Sequence, residues 1–281
     1  MSRQTSQKIA FAMLTAMAVI VVVPIVLVVV YIVIQGIGAI SWEFLTEFPR
    51  NGMKEGGILP ALVGTVVLTF GTAIASIPIS VGAAVYLAEY ARDTWLTRAI
   101  RMAIVNLAGI PSVVYGLFGL GLFVLFMGLG TSIVAGSLTL GLMTMPIVIS
   151  TAEEALLAVP QRFRVVSHSL GATRWQTVRQ VVLPNALPGI LTGVILGLER
   201  AAGETAPILF TVAAFYLPQL PHGPMDQTMA LPYHLYVIST QVPGMPLEIQ
   251  YGTALVLLVM VLGMNLVATV IRSRFRRRRQ W

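Results

Sequence analysis

Cysteine is absent from this chain of 281 residues, lysine occurs only at Lys8 and Lys54, and charged residues of every kind make up 10%. Each shortage excludes something. Without cysteine there is neither a disulfide framework nor a thiolate metal site. The two lysines are followed by Ile9 and Glu55, so the chain has no Gly-Lys-Ser/Thr and no phosphate-cradling P-loop of its own. Hydrolysis within a membrane finds no support either. No G-x-S-x-G or H-E-x-x-H string occurs, His168, His222 and His234 fall in predicted loops, and Asp93 and Asp226 lie outside the long apolar stretches. Soluble domains carry roughly 25% charged residues. With so few, most of this chain must face lipid or other apolar helices.

Long apolar sequence is what the chain has in abundance: 57% of its residues are hydrophobic. Apolar stretches run over residues 9–34 and roughly 61–88, 99–129, 133–152, 187–216 and 250–271. Each supplies the ~20 residues that cross a ~30 Å hydrocarbon layer. Arg3 and Lys8 ahead of the first give it the charged start of a signal peptide. Such peptides have an apolar region of only about 7–15 residues and a small-residue cleavage site, so this stretch is predicted to be a transmembrane helix. Pro24, Pro78, Pro111, Pro146 and Pro207 fall inside the spans. Each removes a backbone donor that a neighbour must compensate, which predicts helices buried in a bundle. The expected fold class is all-α, a polytopic membrane protein of six transmembrane helices.

Arginine and lysine set the direction. With the N-terminus inside, Arg3, Lys8, Arg92, Arg98, Arg101, Arg162, Arg164, Arg174, Arg179 and the six arginines from Arg272 to Arg279 are all cytoplasmic. Arg50 and Lys54 are outside and Arg200 is within a span, so the eighteen basic residues less these three leave fifteen on one side. That asymmetry places both termini in the cytoplasm. The net charge of +7 is thus a matter of topology. The terminal RSRFRRRRQW reads as the ordinary basic flank of a last span beside membrane lipid, not as a nucleic-acid site.

The cytoplasmic segment between the fourth and fifth spans, about 153–184, reads as amphipathic helix, turn, helix. Leu156, Leu157, Val159 and Phe163 interleave with Glu153, Glu154, Arg162 and Arg164 at helical spacing. Gly171, in Leu170-Gly171-Ala172-Thr173-Arg174-Trp175, is suited to the tight turn. The second helix is expected over 176–183, ending at Pro184. The stretch SLGATRWQTVRQVVLPNALPGI resembles the cytoplasmic signature of ABC importer permeases of the MetI-like class, EAA–x3–G–x9–I–x–L–P. Gly171, Val181, Leu183 and Pro184 fall in register with its last four positions, with valine for isoleucine, while Val165, Val166 and Ser167 replace Glu-Ala-Ala. The resemblance implies that a short helix around residues 168–175 docks on a cytoplasmic ATPase, with Leu170, Gly171, Ala172, Thr173, Arg174, Leu183 and Pro184 forming the coupling loop.

Three further strings, PISVGAAVYLAEYA, NLAGIPSVVYGLFGLG and RAAGETAPILFT, resemble phosphate-transport permeases. The GETAP pentad of Gly203 to Pro207 is closer to the PstA branch than to its partner subunit PstC. The likeness covers about residues 58–271, leaving an added first helix and outer loop over 1–57 and a basic cytoplasmic tail over 272–281. It implies a permease subunit in a prokaryotic cytoplasmic membrane that imports inorganic phosphate and is not itself an enzyme. The implied partners are a homologous PstC-like permease, two ATPase subunits and an extracytoplasmic phosphate-binding protein, with no cofactor. The outer segments, about 35–60 and 217–249, are expected to dock that binding protein. A permease for molybdate or sulfate is the alternative, and a non-transporting scaffold or sensor is another, which has no need of buried charges.

Charge within the fifth span carries a separate physical argument. An arginine at the centre of a spanning helix costs about 2.5–3.5 kcal/mol on insertion scales. At 100° per residue Gly193, Gly197, Arg200, Glu204, Pro207 and Thr211 share one face, with Arg200 and Glu204 spaced for an i,i+4 pair and Glu199 pointing elsewhere to another partner. The glycines admit a close neighbour. Together with the resemblance, this stripe predicts a translocation pathway formed by Arg200, Glu204, Glu199 and Thr211, in which the carboxylate tempers the hold of the cation on a passing anion. The topology has a direct test. A tag after Trp281 is expected to be inaccessible in intact cells, and a cysteine placed at Asn51 to react with an impermeant thiol reagent from outside; the reverse pattern overturns the six-span arrangement.

Overall fold

The computed structural model describes residues 3–277. The end of the predicted basic tail from Arg278 to Trp281 lies outside the described residues, as do the side chains of Arg3, Lys8 and the tail arginines from Arg272 on. In hydrocarbon a backbone polar group has no water to bond, so a spanning segment must satisfy itself as a helix. Helices accordingly dominate: α1 (Arg3–Gly36), α3 (Leu59–Val85), α4 (Trp95–Ala108), α5 (Ser112–Gly119), α6 (Ile133–Leu157), α9 (Leu183–Gly203) and α12 (Leu247–Arg277), with shorter α2 (Trp42–Thr46), α7 (Gln161–Ser169), α8 (Arg174–Thr177), α10 (Ala206–Thr211) and α11 (Leu231–Thr240) between them. The strands β1 (Pro49–Arg50) and β2 (Glu55–Gly56) pair as a small antiparallel hairpin.

Among the described residues five helical stretches are long and apolar enough to cross a membrane: Ala10–Ala39, Leu59–Tyr90, Ile133–Leu157, Arg174–Gly203 and Leu247–Val267. The predicted third span is instead a broken one, α4 and α5 meeting at 103°. Pro111 explains the break. It offers no N–H to the turn before it and pushes Ile110 out of helical geometry, so α4 closes at Gly109 and α5 restarts with Pro111 as its N-cap.

The fifth span is displaced from its predicted 187–216. It stops at Gly203 because Pro207, four residues on, cannot donate to that carbonyl and crowds it; Glu204 is extended, with φ −80° and ψ 135°. At its other end the helix does not stop at Pro184 as expected. Pro184 lies in the first turn of α9 and is reached through one wide π turn, Val178–Val182, so the chain is helical from Arg174 onward.

The bundle is centred on α3, α6 and α9. Glycines along α9 lie against α6 at one residue per turn. A Cβ at Gly189 would sit 2.5 Å from that of Ala155, at Gly193 2.7 Å from that of Thr151, and at Gly197 3.0 Å from the Val148 side chain. Between α3 and α6, Gly141 approaches Ala75 in the same way and Gly71 meets Ser137. Small residues are needed because lipid gives helices no hydrophobic reason to associate, leaving close van der Waals contact as the main attraction. Pro146 and Pro207 are buried as expected, but Pro24, Pro78 and Pro111 are exposed, the first of them on α1, which the rest of the chain leaves uncovered over its span. α1 packs along α12, where Gly36 lies against the Tyr251 carbonyl and the rings of Tyr31 and Tyr251 meet edge to face at 5.5 Å.

On the outer side the proline-rich segment is more than a loop. It contains α11, whose Leu231, Val237 and Ile238 are buried, and the Leu231 N–H donates to Thr65 Oγ1 of α3 at 2.8 Å. His234, placed in a loop by the sequence, is on this helix at 2% exposure. Burial lowers its pKa to about 4, so the ring stays neutral at physiological pH.

The α6–α9 contact makes a stability prediction. Gly193→Val inserts methyl groups where even a Cβ is too close to Thr151, and overpacking of this kind costs roughly 1–3 kcal/mol. Gly263→Ala on α12 meets nothing within 4 Å and should be neutral. The folded fraction in detergent after a temperature ramp is expected to fall for the first variant only.

Candidate functional site

The cytoplasmic loop is a helical hairpin with an apolar tip. α7 ends at Ser169 because Gly171 takes φ +83°, a left-handed conformation that glycine adopts without steric cost. The Gly171 and Ala172 N–H groups close the helix on the His168 and Ser167 carbonyls at 3.0 and 3.2 Å. Thr173 then caps α8 in a reciprocal box: its Oγ1 accepts from the Gln176 N–H at 3.3 Å, and its own N–H donates to Gln176 Oε1 at 2.8 Å. A buried hydroxyl contact, Ser167 to Thr177 at 2.8 Å, joins the two arms.

Leu170, 83% exposed, and the exposed Trp175 stand out from this tip without apolar cover, while the Arg174 guanidinium lies over the Tyr90 ring at 5.1 Å. The projecting element is therefore the capped turn, Leu170 to Arg174, and not a helix over 168–175 as the sequence reading had it. Leu183 and Pro184 do not belong to this tip. They begin α9, and Leu183 packs on the cytoplasmic core cluster around Leu156 and Val182.

Beneath the turn lies an ion pair that sequence reasoning missed. The Arg164 Nη2 is 2.6 Å from Glu89 Oε1, with Nε 3.2 and 3.3 Å from the two carboxylate oxygens. The same guanidinium donates to the Val159 and Leu156 carbonyls at 2.6 and 2.9 Å. Glu89 is buried, at 8% exposure, and Arg164 is nearly so, at 11%. The amphipathic pattern had set Arg164 on the solvent face; instead it turns inward to the cytoplasmic end of α3. A charge so placed must be paired and hydrogen-bonded, and removing one partner typically costs about 3–5 kcal/mol. The available signal was Glu89 itself, an acidic residue at the end of an apolar span, 75 residues from its partner. A second pair is adjacent: Arg101 of α4 reaches Glu153 of α6 at 2.8 Å and donates to the Leu87 carbonyl at 2.9 Å.

At the far end of α9 the predicted stripe divides. Arg200 and Glu204 do meet, Nε to Oε1 at 3.3 Å, with 34% and 18% of their side chains exposed. They meet across the end of a helix, not along its face, since Glu204 has left α9. Arg200 also occupies the last turn of α9, where a cation complements the unpaired carbonyls. Gly193 and Gly197 turn into the α6 contact. Thr211 is wholly buried on α10, its hydroxyl donating to the Pro207 carbonyl at 2.8 Å, and does not join Arg200. Glu199 points away as expected, accepting from Asn265 Nδ2 of α12 at 3.3 Å. Among the described residues no group of three or more His, Asp or Glu side chains is placed to hold a metal ion.

Comparison with known proteins gives these features a context. The family model described as "binding-protein-dependent transport system inner membrane component" matches residues 76–281. A Bacillus subtilis protein named as a probable ABC transporter permease, YqgI, is 34% identical, covering 95% of each chain. The probable phosphate transport system permease PstA of Methanocaldococcus jannaschii is 32% identical over 93% of this chain and 92% of its own. PstA 1 of Mycobacterium tuberculosis is 32% identical over 99% and 91%. Among solved structures, the inward-facing MetNI methionine ABC transporter has a chain that superimposes with a TM-score of 0.63 at 19% identity. The match covers 78% of this chain and 95% of that one.

Proposed function

Because the chain belongs to the family of binding-protein-dependent transport system inner membrane components, and so is a multi-pass permease of the ABC importer type, we propose that the substrate it passes is inorganic phosphate. Two relatives named as phosphate transport permeases align over more than nine-tenths of this chain. The observation that carries the proposal is the Arg200–Glu204 pair at the break between α9 and α10. An anion crossing a low-dielectric core needs a cation, and one held without competition would not leave. Glu204 supplies the competition. Glu199, held by Asn265, and Thr211, bonded to Pro207, are supports around this break.

In the proposed assembly the chain pairs with a homologous permease, two ATPase subunits and an extracytoplasmic phosphate-binding protein. Residues 58–271 form the permease domain; 1–57 and 272–281 are additions. The ATPase contact is the Leu170–Arg174 turn, which is exposed, apolar at its tip and fixed by its own caps. Closure of the ATPases on nucleotide moves this turn, and α9 carries the movement to the Arg200–Glu204 break.

Two measurements test the reading. Gly171→Asp is expected to leave the protein inserted but to abolish binding-protein-stimulated ATP hydrolysis in the reconstituted complex; normal stimulation would remove the turn from the ATPase contact. Arg200→Gln should lower phosphate uptake per assembled complex at least about tenfold, or ~1.4 kcal/mol of barrier, while assembly survives. Glu204→Gln should also impair uptake, by leaving the cation uncompensated. If the pair is only structural, each single variant loses assembly and the double Gln variant recovers both assembly and transport, which sinks the pathway role. Sulfate or molybdate uptake exceeding that of phosphate in the same vesicles would overturn the choice of anion.

A further inference from the structure

Three arginines from different helices reach the wide turn that ends α3, Arg174 of α8 over the Tyr90 ring and two others through hydrogen bonds. That π turn, Tyr86–Tyr90, is closed by the Ala91 N–H on the Tyr86 carbonyl at 2.8 Å. The next carbonyl, of Leu87, accepts from Arg101 of α4, which also pairs with Glu153 of α6. The turn's carboxylate, Glu89, is gripped by Arg164 of α7 through Nε and Nη2, and Arg164 also donates to the Leu156 carbonyl at the end of α6 and to the Val159 carbonyl just beyond it. One largely covered guanidinium thus joins α3, the end of α6 and the hairpin arm that carries the Leu170–Arg174 turn.

We infer that Glu89 and Arg164 are positioning residues that tie this turn to the cytoplasmic end of α3, so that a displacement of the turn is passed to α3, α4 and α6 as one body. The inference rests on the reading of the turn as the ATPase contact. The Arg174–Tyr90 ring contact and the packing of Phe163 against the apolar cluster that holds Leu87 add to the tie. Beside the pair, between the hairpin and α3, lies a cavity of about 250 Å³ lined in part by Glu89, Gln161, Arg164, His168 and Arg174. An open polar gap transmits no force, whereas a guanidinium with four acceptors fixed by two helices does. The forked geometry matters as well as the charge, because an ammonium in place of Arg164 cannot engage the carboxylate and two carbonyls together.

The test uses the full transporter complex in proteoliposomes with its binding protein, reading phosphate imported per ATP hydrolysed. Arg164→Lys, and the double variant Glu89→Gln/Arg164→Gln that leaves no unpaired charge, are expected to assemble and hydrolyse ATP. Their import per ATP should fall about fivefold or more, the low end of typical coupling factors. An unchanged ratio in the double variant overturns the inference. A second measurement needs neither variant to fold. The chain has no cysteine, so spin labels at Arg92→Cys and Ser169→Cys report the distance between the end of α3 and the hairpin. That distance should be the same in nucleotide-free and ATP-bound complex; a shift between the two states overturns the single-body movement. A cysteine at Leu170 should cross-link to the ATPase subunit. If it does not, the ATPase-contact reading fails and this inference with it; if it does and the ratio is unchanged, only this inference fails.

Discussion

Hydrocarbon gives a helix no water for its polar groups and no hydrophobic reason to seek another helix. The arrangement of this protein depends on how α3, α6 and α9 meet that constraint. They approach until glycines on one face side chains or backbone on the next: Gly189, Gly193 and Gly197 against α6, and Gly141 of α6 and Gly71 of α3 at the α3–α6 contact. At such separations dispersion is gained along the whole length of the contact. Everything else hangs from this triad. α12 lies against α9, α1 lies against α12, and the broken α4–α5 pair wraps α6.

The places where the chain leaves regular helix are also where its polar side chains collect, and one cause underlies both. A break frees carbonyls and N–H groups that must find partners. At the end of α3 the partners are Arg101 and, through Glu89, Arg164. At Gly203 the cation of Arg200 stands in the last turn of α9 and Glu204 balances it. At Gly109–Pro111 the Tyr115 hydroxyl donates to the Leu107 carbonyl at 2.8 Å. Interruptions that would be defects in a lone helix become sites at which charge is tolerated.

Much of this could be read from the sequence, because hydropathy and arginine bias act one residue at a time. The spans of α1, α3, α6 and α12, the turn at Gly171 and the pairing of Arg200 with Glu204 all follow from local spacing. What was not legible required knowledge of distant neighbours. Periodicity at 100° per residue has no means of registering that Pro207 ends α9 at Gly203, so it carried a helical face through to Thr211. It placed Arg164 in solvent because its partner is Glu89, on another helix. The same blindness made Pro184 look like a stop, where a π turn lets the helix run on, and left His234 in a loop that is in fact the buried α11.

The continuity past Pro184 has a mechanical consequence. From Arg174 to Gly203 the chain is helical for 30 residues, about 45 Å at 1.5 Å per residue. One rod therefore begins at the exposed capped turn and ends at the Arg200–Glu204 break. Had the helix stopped at Pro184, a flexible joint would separate the two, and force on the turn would be lost there. Its seam with α6 combines glycines facing Ala155, Thr151 and Val148 with Ile190 and Val194, which share one apolar cluster with Ile149 and Leu156, so the two helices move together. The pair at the far end is bonded across a helix terminus, where a movement of the rod changes the separation of Arg200 from Glu204 more than it would within a continuous helix. Under the proposed function, a displacement of the turn reaches the Arg200–Glu204 pair along this one rod.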